Sequence, residues 1–328
     1  MNAGLRTLLN GILDYAGLFP PASLALDAAA RNYAAYLAGA DRWMLSRFIC
    51  PTAALGDLSK FVSLFEAEPL RLSALGRGAE TTSAFLNNLR DDLAAMRSFA
   101  DAHGERVAIE NFEMRMPADS IHGDCTGPLV QLLDDARAAF ATAGFAHVSA
   151  ACEATVNRDD IRDVDNFIGA IAFFNSKLTL EKRGGPADRF TFKLRCGGVR
   201  PDAFPTVELV SRALSRCGES GVPIKFTAGL HHPFPRFDAA AGARMYGFIP
   251  MYLAAILAHM YQLSEAEIAA VLTCDDPAHF EITDSYLRFG DHAVPNEEIE
   301  SLRQNYILTF GSCSFDEPRD DLRAAGLW

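Results

Sequence analysis

The chain has 328 residues, 49% of them hydrophobic, and a formal net charge of −12. This length and composition permit one large domain with a full core, and the acidic balance argues against nucleic acid as a partner, since phosphate binding needs a basic surface. Seven scattered cysteines without a CxxC pair argue against a disulfide framework and for a reducing compartment, which makes the cytoplasm the expected location.

The N-terminal apolar stretch is broken by Asp14 and no small-residue cleavage site follows, so it is not read as a secretory signal. From there the sequence alternates short apolar runs with longer segments of helical period. ILDYAGLFP is the first strand, and Ser23 is placed as the cap of a helix running to residue 40. WMLSRFICP (43–51) is the second strand, with a helix over 52–65. LRLSALG (70–76) is the third, and its helix carries a stripe of Phe85, Leu86, Leu89, Leu93 and Met96 ending at Gly104. RVAIENFEMRMP (106–117) is the fourth, followed by a helix over 127–144. AHVSAACEA (146–154) is the fifth, with a helix over 163–182. RFTFKLRCGG is the sixth, and Thr206 caps the helix after it. PIKFTAGLHHP is the seventh.

The most apolar segment, residues 247–263, reads as part of a buried helix around 242–263, because it is too short for a membrane span and contains His259. The rhythm then breaks. Ser264 and Glu267 form a capping box, residues 279–294 read as a small hairpin, NEEIESLRQNY is a helix, and only then does the eighth strand, ILTFGSCSF (307–315), appear. Eight strand–helix units predict an α/β protein with a single (β/α)8 TIM-type barrel over 1–328. A helix–hairpin–helix insertion over 264–306 precedes strand 8 and reads as a lid or a homo-oligomer contact. A doubly wound sheet would want a glycine-rich phosphate loop after the first strand, and AGLFPPA is not one.

Side chains alternate faces along a strand. In the sixth strand Phe190, Phe192 and Leu194 belong against the helices, which turns Thr191, Lys193 and Arg195 to the barrel axis. In the seventh, Ile224 and Phe226 face out while Lys225 and Thr227 face in. In the fifth, Glu153 falls on the inward set. The fourth strand has no cleanly apolar face; Glu110 is placed inward, and Glu113 with Arg115 as a rim pair. Barrel interiors are normally filled by branched apolar side chains, so inward charge on successive strands points to a site near the C-terminal strand ends. The plain alternative is a buried ion pair between Glu153 and Lys193 or Arg195.

A lysine in a low-dielectric pocket beside a second cation loses its proton more easily, and a neutral amine can form a Schiff base with a carbonyl. Lys193 is the candidate nucleophile, Lys225 the partner that depresses its pKa, and Glu153, Glu110 or Asp14 the proton carrier. Both lysines as cationic anchors for an anionic substrate is an equal reading. Arg195 and His231 are placed as holders of the substrate anion, with Ser312 and Ser314 as part of an anion nest. Cys313 is read either as a buried structural thiol or as a nucleophile served by His231. Phe19 and the two prolines beside it form an apolar wall across the mouth. No cofactor is required by this chemistry. A divalent metal on His231 and a carboxylate is the alternative, for a lyase, isomerase or hydrolase, although HxH and HExxH spacings are absent. A non-catalytic small-molecule-binding barrel is the third reading. The expected partner in each case is a small anionic molecule.

The lysines in FKLRCGG and IKFTAGL, with Asp14 in LDYAGL, resemble the class I aldolase barrels, deoxyribose-phosphate aldolase in particular. That resemblance implies a Schiff-base lysine at Lys193, a second lysine at Lys225 and a first-strand aspartate at Asp14. It departs at LRCGG and AGLHHP, where the aldolases have a threonine–serine–threonine–glycine run and a phosphate-binding glycine pair. DYAGLFPPA (14–22), KLRCGG (193–198), KFTAGLHHP (225–233) and FGSCSFDEP (310–318) together resemble a bacterial β/α-barrel family. This second resemblance implies a barrel and no particular reaction.

Overall fold

The computed structural model describes residues 2–121, 126–154, 161–180 and 188–328. Seven parallel strands follow one another around a ring: β1 (Leu13–Tyr15), β2 (Leu45–Pro51), β3 (Leu70–Leu75), β4 (Val107–Arg115), β5 (Ser149–Glu153), β6 (Phe190–Arg195) and β7 (Ile224–Thr227). Two excursions come next. The first is a hairpin of β8 (Arg236–Asp238) and β9 (Ala243–Met245); the second is an antiparallel sheet of β10 (Phe280–Ile282), β11 (Tyr286–Phe289) and β12 (His292–Pro295). The last strand, β13 (Ile307–Ser312), then pairs with both β7 and β1 and closes the barrel. The architecture is a (β/α)8 barrel.

On β4, β6 and β7 the apolar half is held outward by rings on the surrounding helices. Phe112 of β4 meets Phe140 of α5 (Thr126–Thr142) at 5.3 Å between centroids. Phe192 of β6 meets Phe167 of α6 (Ile161–Leu180) at 5.9 Å. Phe226 of β7 meets Tyr252 of α8 (Phe248–Tyr261) at 5.2 Å. All three pairs are edge-on, the arrangement that ring quadrupoles favour. Each buried ring is worth roughly 1.5–3 kcal/mol. Because these rings fix the outward set, the alternate polar residues have only the barrel axis to face.

Local signals set several boundaries. Thr206 Oγ accepts from the Leu209 amide and starts α7 (Val207–Ser220), which Gly221 ends in the left-handed region. Ser264 and Glu267 close the capping box of α9 (Glu265–Thr273). Elsewhere the structure differs from the expectation. A helix, α1 (Ala3–Leu9), precedes β1 and packs on α10 (Asn296–Asn305) and β11. Ser23 is not a cap: α2 (Leu26–Ala38) begins after Ala25, and Ser23 has φ +45°. Residues 52–64 form short 3-10 turns around α3 (Leu55–Leu58), not one helix. The apolar helix starts at Phe248, since residues 243–245 are taken by β9. The expected hairpin at 279–294 has a third strand, because His292–Pro295 pairs back on β11. The expected end of the fifth helix at 182 lies outside the described residues; α6 is described to Leu180. Thr82–His103 forms α4, and Asp316–Ala324 forms α11. No described helix is long and apolar enough to cross a membrane.

Candidate active site

A pocket of about 430 Å³ opens at the C-terminal ends of the strands. Phe19, Pro20 and Pro21 wall one side. Glu113, Glu153 and Lys193 form its charged floor, and Arg195, His231 and Cys313 stand around the rim. The volume suits a small molecule.

The floor is organised by strand register. Glu153 of β5 pairs with Lys193 of β6, and Lys193 with Lys225 of β7, so the three lie in one layer. The Lys193 ammonium sits 2.6 Å from Glu153 and 2.7 Å from Glu113. The other Glu113 oxygen is 3.4 Å from the Lys225 amine, which also donates to Asp14 and, at 2.9 Å, to Thr309. The second Glu153 oxygen accepts from Arg195 Nε at 2.9 Å. A continuous chain therefore runs from Asp14 through Lys225, Glu113, Lys193 and Glu153 to Arg195. Three carboxylates meet three cations in it, so the chain is neutral as a whole. Both lysines are buried, while the Arg195 side chain is 52% exposed and offers its remaining donors to the pocket.

Burial by itself would neutralise these groups, and the pairing overrides it. Desolvation raises the Glu153 carboxyl, but Lys193 and Arg195 bring it down to about 2. Glu113 and Asp14 are likewise held below the usual carboxylate range, Glu113 mainly by Lys193 and Asp14 mainly by Lys225. Burial pushes the Lys193 amine down, yet its two carboxylates hold it above the ordinary lysine range. The resting Lys193 is an ammonium ion.

The glycines of the two lysine motifs serve a close approach. Gly229 has φ +72°, and a Cβ there would lie 2.7 Å from the Cys196 carbonyl oxygen and 2.8 Å from Gly197 Cα. The loops leaving β6 and β7 thus touch backbone to backbone, which packs the two lysine strands tightly at the mouth.

Sequence reasoning put the wrong fourth-strand carboxylate inside. Glu113 is fully buried at the axis, whereas Glu110 is half-buried and held by Arg47 Nε at 2.9 Å and Arg71 Nε at 2.8 Å, away from the pocket. The cause is a register shift between β3 and β4: Leu72 pairs with Ile109 but Ser73 with Asn111, so Glu110 is an extra residue that resets the alternation. Arg115 does line the pocket, but its partner is Glu80, not Glu113.

Ser312 and Ser314 do not line the pocket. The Ser314 amide donates to Ser312 Oγ at 3.4 Å, and Ser314 Oγ accepts from the Glu317 amide at 3.1 Å, bracing the start of α11. His231 reaches the rim but its Nδ1 lies 3.0 Å from Glu317, and His232 Nδ1 lies 2.6 Å from Asp321. Both adjacent histidines grip one helix, α11. Cys313 lines the pocket with a thiol pushed up by burial, the protonated form and not an activated nucleophile. Among the described residues no three His, Cys, Asp or Glu side chains come together to hold a metal ion.

Fold and site together define a (β/α)8 barrel with a charged pocket at its C-terminal mouth. No family model matches the chain, and no curated protein matches it. Among solved structures it is similar to the tetrameric deoxyribose phosphate aldolase from Aeropyrum pernix, at 10% identity and a TM-score of 0.47, over 99% of this chain and 98% of that one. It is also similar to a GH6 enzyme from Orpinomyces sp. Y102, at 9% identity and a TM-score of 0.35, over 71% of this chain and 73% of that one. Likenesses at these scores carry no argument about chemistry, and the barrel rests on its own strand pairing.

Proposed function

We propose that the protein is a lyase of aldolase type that acts on a small anionic carbonyl compound at the C-terminal mouth, with Lys193 as the amine nucleophile. The observation that carries this reading is the Lys193 ammonium on the pocket floor with a carboxylate on either side, at 2.6 and 2.7 Å. A bound substrate excludes water, and passing the Lys193 proton to Glu153, which runs against the resting ion pair, frees the amine for the carbonyl. The free amine then adds to the carbonyl carbon. Glu153 returns the proton to the departing hydroxyl and water leaves; Glu153, again a carboxylate, then takes the proton of the substrate's β-hydroxyl as the Cα–Cβ bond breaks into the iminium, which releases an aldehyde and leaves an enamine on Lys193 for reprotonation and hydrolysis. Glu113 replaces Glu110 as the second carboxylate. Lys225 and Asp14 hold Glu113 in place from below. Arg195, half-exposed at the rim, binds the substrate anion.

A second reading is favoured by the upward shift of the Lys193 amine. In it Lys193 stays an ammonium ion and stabilises substrate charge without a covalent bond. Borohydride separates the two. The protein is incubated with acetaldehyde, pyruvate or glycolaldehyde, reduced with sodium borohydride and mapped by mass spectrometry. A reduced adduct on Lys193, absent in Lys193→Arg, is the expected result. Adducts confined to surface lysines with all three probes overturn the covalent reading.

A further inference from the structure

The barrel has a second opening. At the N-terminal ends of the strands lies a cavity of about 530 Å³, bordered by first or second residues of strands, including Leu45, Arg71, Ser149 and Thr191. Six basic side chains line it, Arg42, Arg47, Arg71, Arg189, Lys225 and Arg303, against two acidic ones, Glu68 and Glu300. Adding Asp14 and Glu113, which pair with Lys225, and Glu110, which pairs with Arg47 and Arg71, still leaves six cations over five anions. This local excess stands in a chain of net charge −12, so it is opposite in sign to the protein's overall field.

The guanidinium groups are not all spent. Arg303 is committed to the backbone carbonyls of Leu8, Asn10, Ile307 and Leu308. Among the described residues Arg189 donates to the Asn305 carbonyl, stacks 5.2 Å over the Tyr306 ring, and forms no ion pair. Arg42 and Glu68 form a surface pair with the arginine side chain 55% exposed, the kind that is weak and readily exchanged. Arg42, Arg47 and Arg71 sit at β2 and β3, and Arg189 at β6, on the other side of the eight-strand ring. Ser149 and Thr191 add hydroxyls between them. Planar guanidinium forks match carboxylate and phosphate oxygens, and the volume holds a metabolite-sized molecule.

We propose that this lower cavity is a binding site for a small polyanion carrying two phosphate or carboxylate groups, one held at the β2–β3 wall and one at Arg189. The site is separate from the upper pocket and does not depend on the chemistry proposed there. Calorimetric titration at low ionic strength with inorganic pyrophosphate, citrate and inorganic phosphate tests it. Pyrophosphate or citrate is expected to bind at least about tenfold more tightly than phosphate, because only they offer two anionic groups. Arg189→Gln is expected to weaken that binding about tenfold, and Arg195→Gln, at the other mouth, to leave it unchanged. Hydrogen exchange on the unsubstituted protein keeps the test independent of how the variants fold: protection is expected at 42–47 and 189–191. Failure of both polyanions to bind, loss of binding in Arg195→Gln but not Arg189→Gln, or protection confined to 228–231 overturns the proposal. Citrate against pyrophosphate shows which anionic group is preferred.

Discussion

Glu113 joins the two lysines: one of its oxygens lies 2.7 Å from the Lys193 amine and the other 3.4 Å from that of Lys225. Ser73 Oγ donates to it as well, at 2.6 Å, so this buried carboxylate is surrounded by donors. Such a pair is not a strong source of net stability, but breaking it strands a buried charge. Lys193→Met removes the shared cation from two carboxylates and is expected to cost about 3–5 kcal/mol in urea unfolding. Adding Glu153→Gln removes one of the stranded charges and is expected to recover a substantial part of that loss. A single Lys193→Met that costs no more than an ordinary surface change would contradict the linked cluster.

The same cluster contributes to the loss of stability in acid. Glu153 has its folded pKa lowered from 4.5 to about 2. As pH falls, the unfolded chain takes up this proton first, so stability present above about pH 4.5 is lost progressively down to about pH 2. Asp14 and Glu113 are shifted in the same direction and add to the effect. Lys193 is shifted upward, so its contribution is complete below its ordinary value of 10.5 and disappears only as pH rises through its folded value. In Glu153→Gln the fall in unfolding free energy between about pH 6 and pH 3 is expected to be about 2 kcal/mol smaller than in the parent protein. Equal losses in both would mean that Glu153 is not held ionised.

The inward faces of β6 and β7 are legible in the sequence, and the exceptions have physical causes. The strands around Lys193 and Lys225 are unbroken two-residue alternations, so their inward faces follow from period alone. Asp14 in β1 was readable as a candidate, but its contact with Lys225 depends on β13 closing the ring between β1 and β7 after two excursions. Glu113 was misplaced because a register shift leaves no mark in a strand whose faces are both mixed, as in AIENFEM. The lower cavity was not foreseen at all. Its five arginines, at 42, 47, 71, 189 and 303, are scattered along the chain and meet only because every barrel strand starts at the same end. Helix α1 is seven residues long, too short for periodicity to declare it.

The glycine contact between the loops after β6 and β7 predicts a position-specific cost. Gly229→Ala needs a residue at φ +72° and brings its Cβ to 2.7 Å from the Cys196 carbonyl oxygen. The backbone beneath cannot yield as a side-chain tip would, so a loss above about 2 kcal/mol is expected. Gly11 is the control: its φ is +55° but nothing lies within 4 Å of the added carbon. Gly11→Ala carries only the conformational term, about 1 kcal/mol. Thermal unfolding of the two variants checks the difference, and equal shifts would remove the argument that the loops are in backbone contact.

The paired histidines make the final case. Glu317 and Asp321 are one turn apart on α11 and share a face. His231 and His232 reach them from the loop after β7 at 3.0 and 2.6 Å. Glu317 is held below the usual carboxyl range chiefly by its hydrogen bond with His231, and His231 also lines the upper pocket. The helix therefore braces the pocket rim, and the histidines serve that brace before any substrate. Replacing both acids, Glu317→Ala with Asp321→Ala, is expected to lower global stability by about 1–2 kcal/mol, the worth of two partly exposed hydrogen bonds. Local exchange responds more. Amide protection should fall at 228–233 and along α11 while β6 and β7 keep theirs, because local opening draws on only these contacts. Uniform loss of protection across the barrel would show that the pairs hold the whole fold, and no change at 228–233 would show that the rim is fixed by its backbone alone.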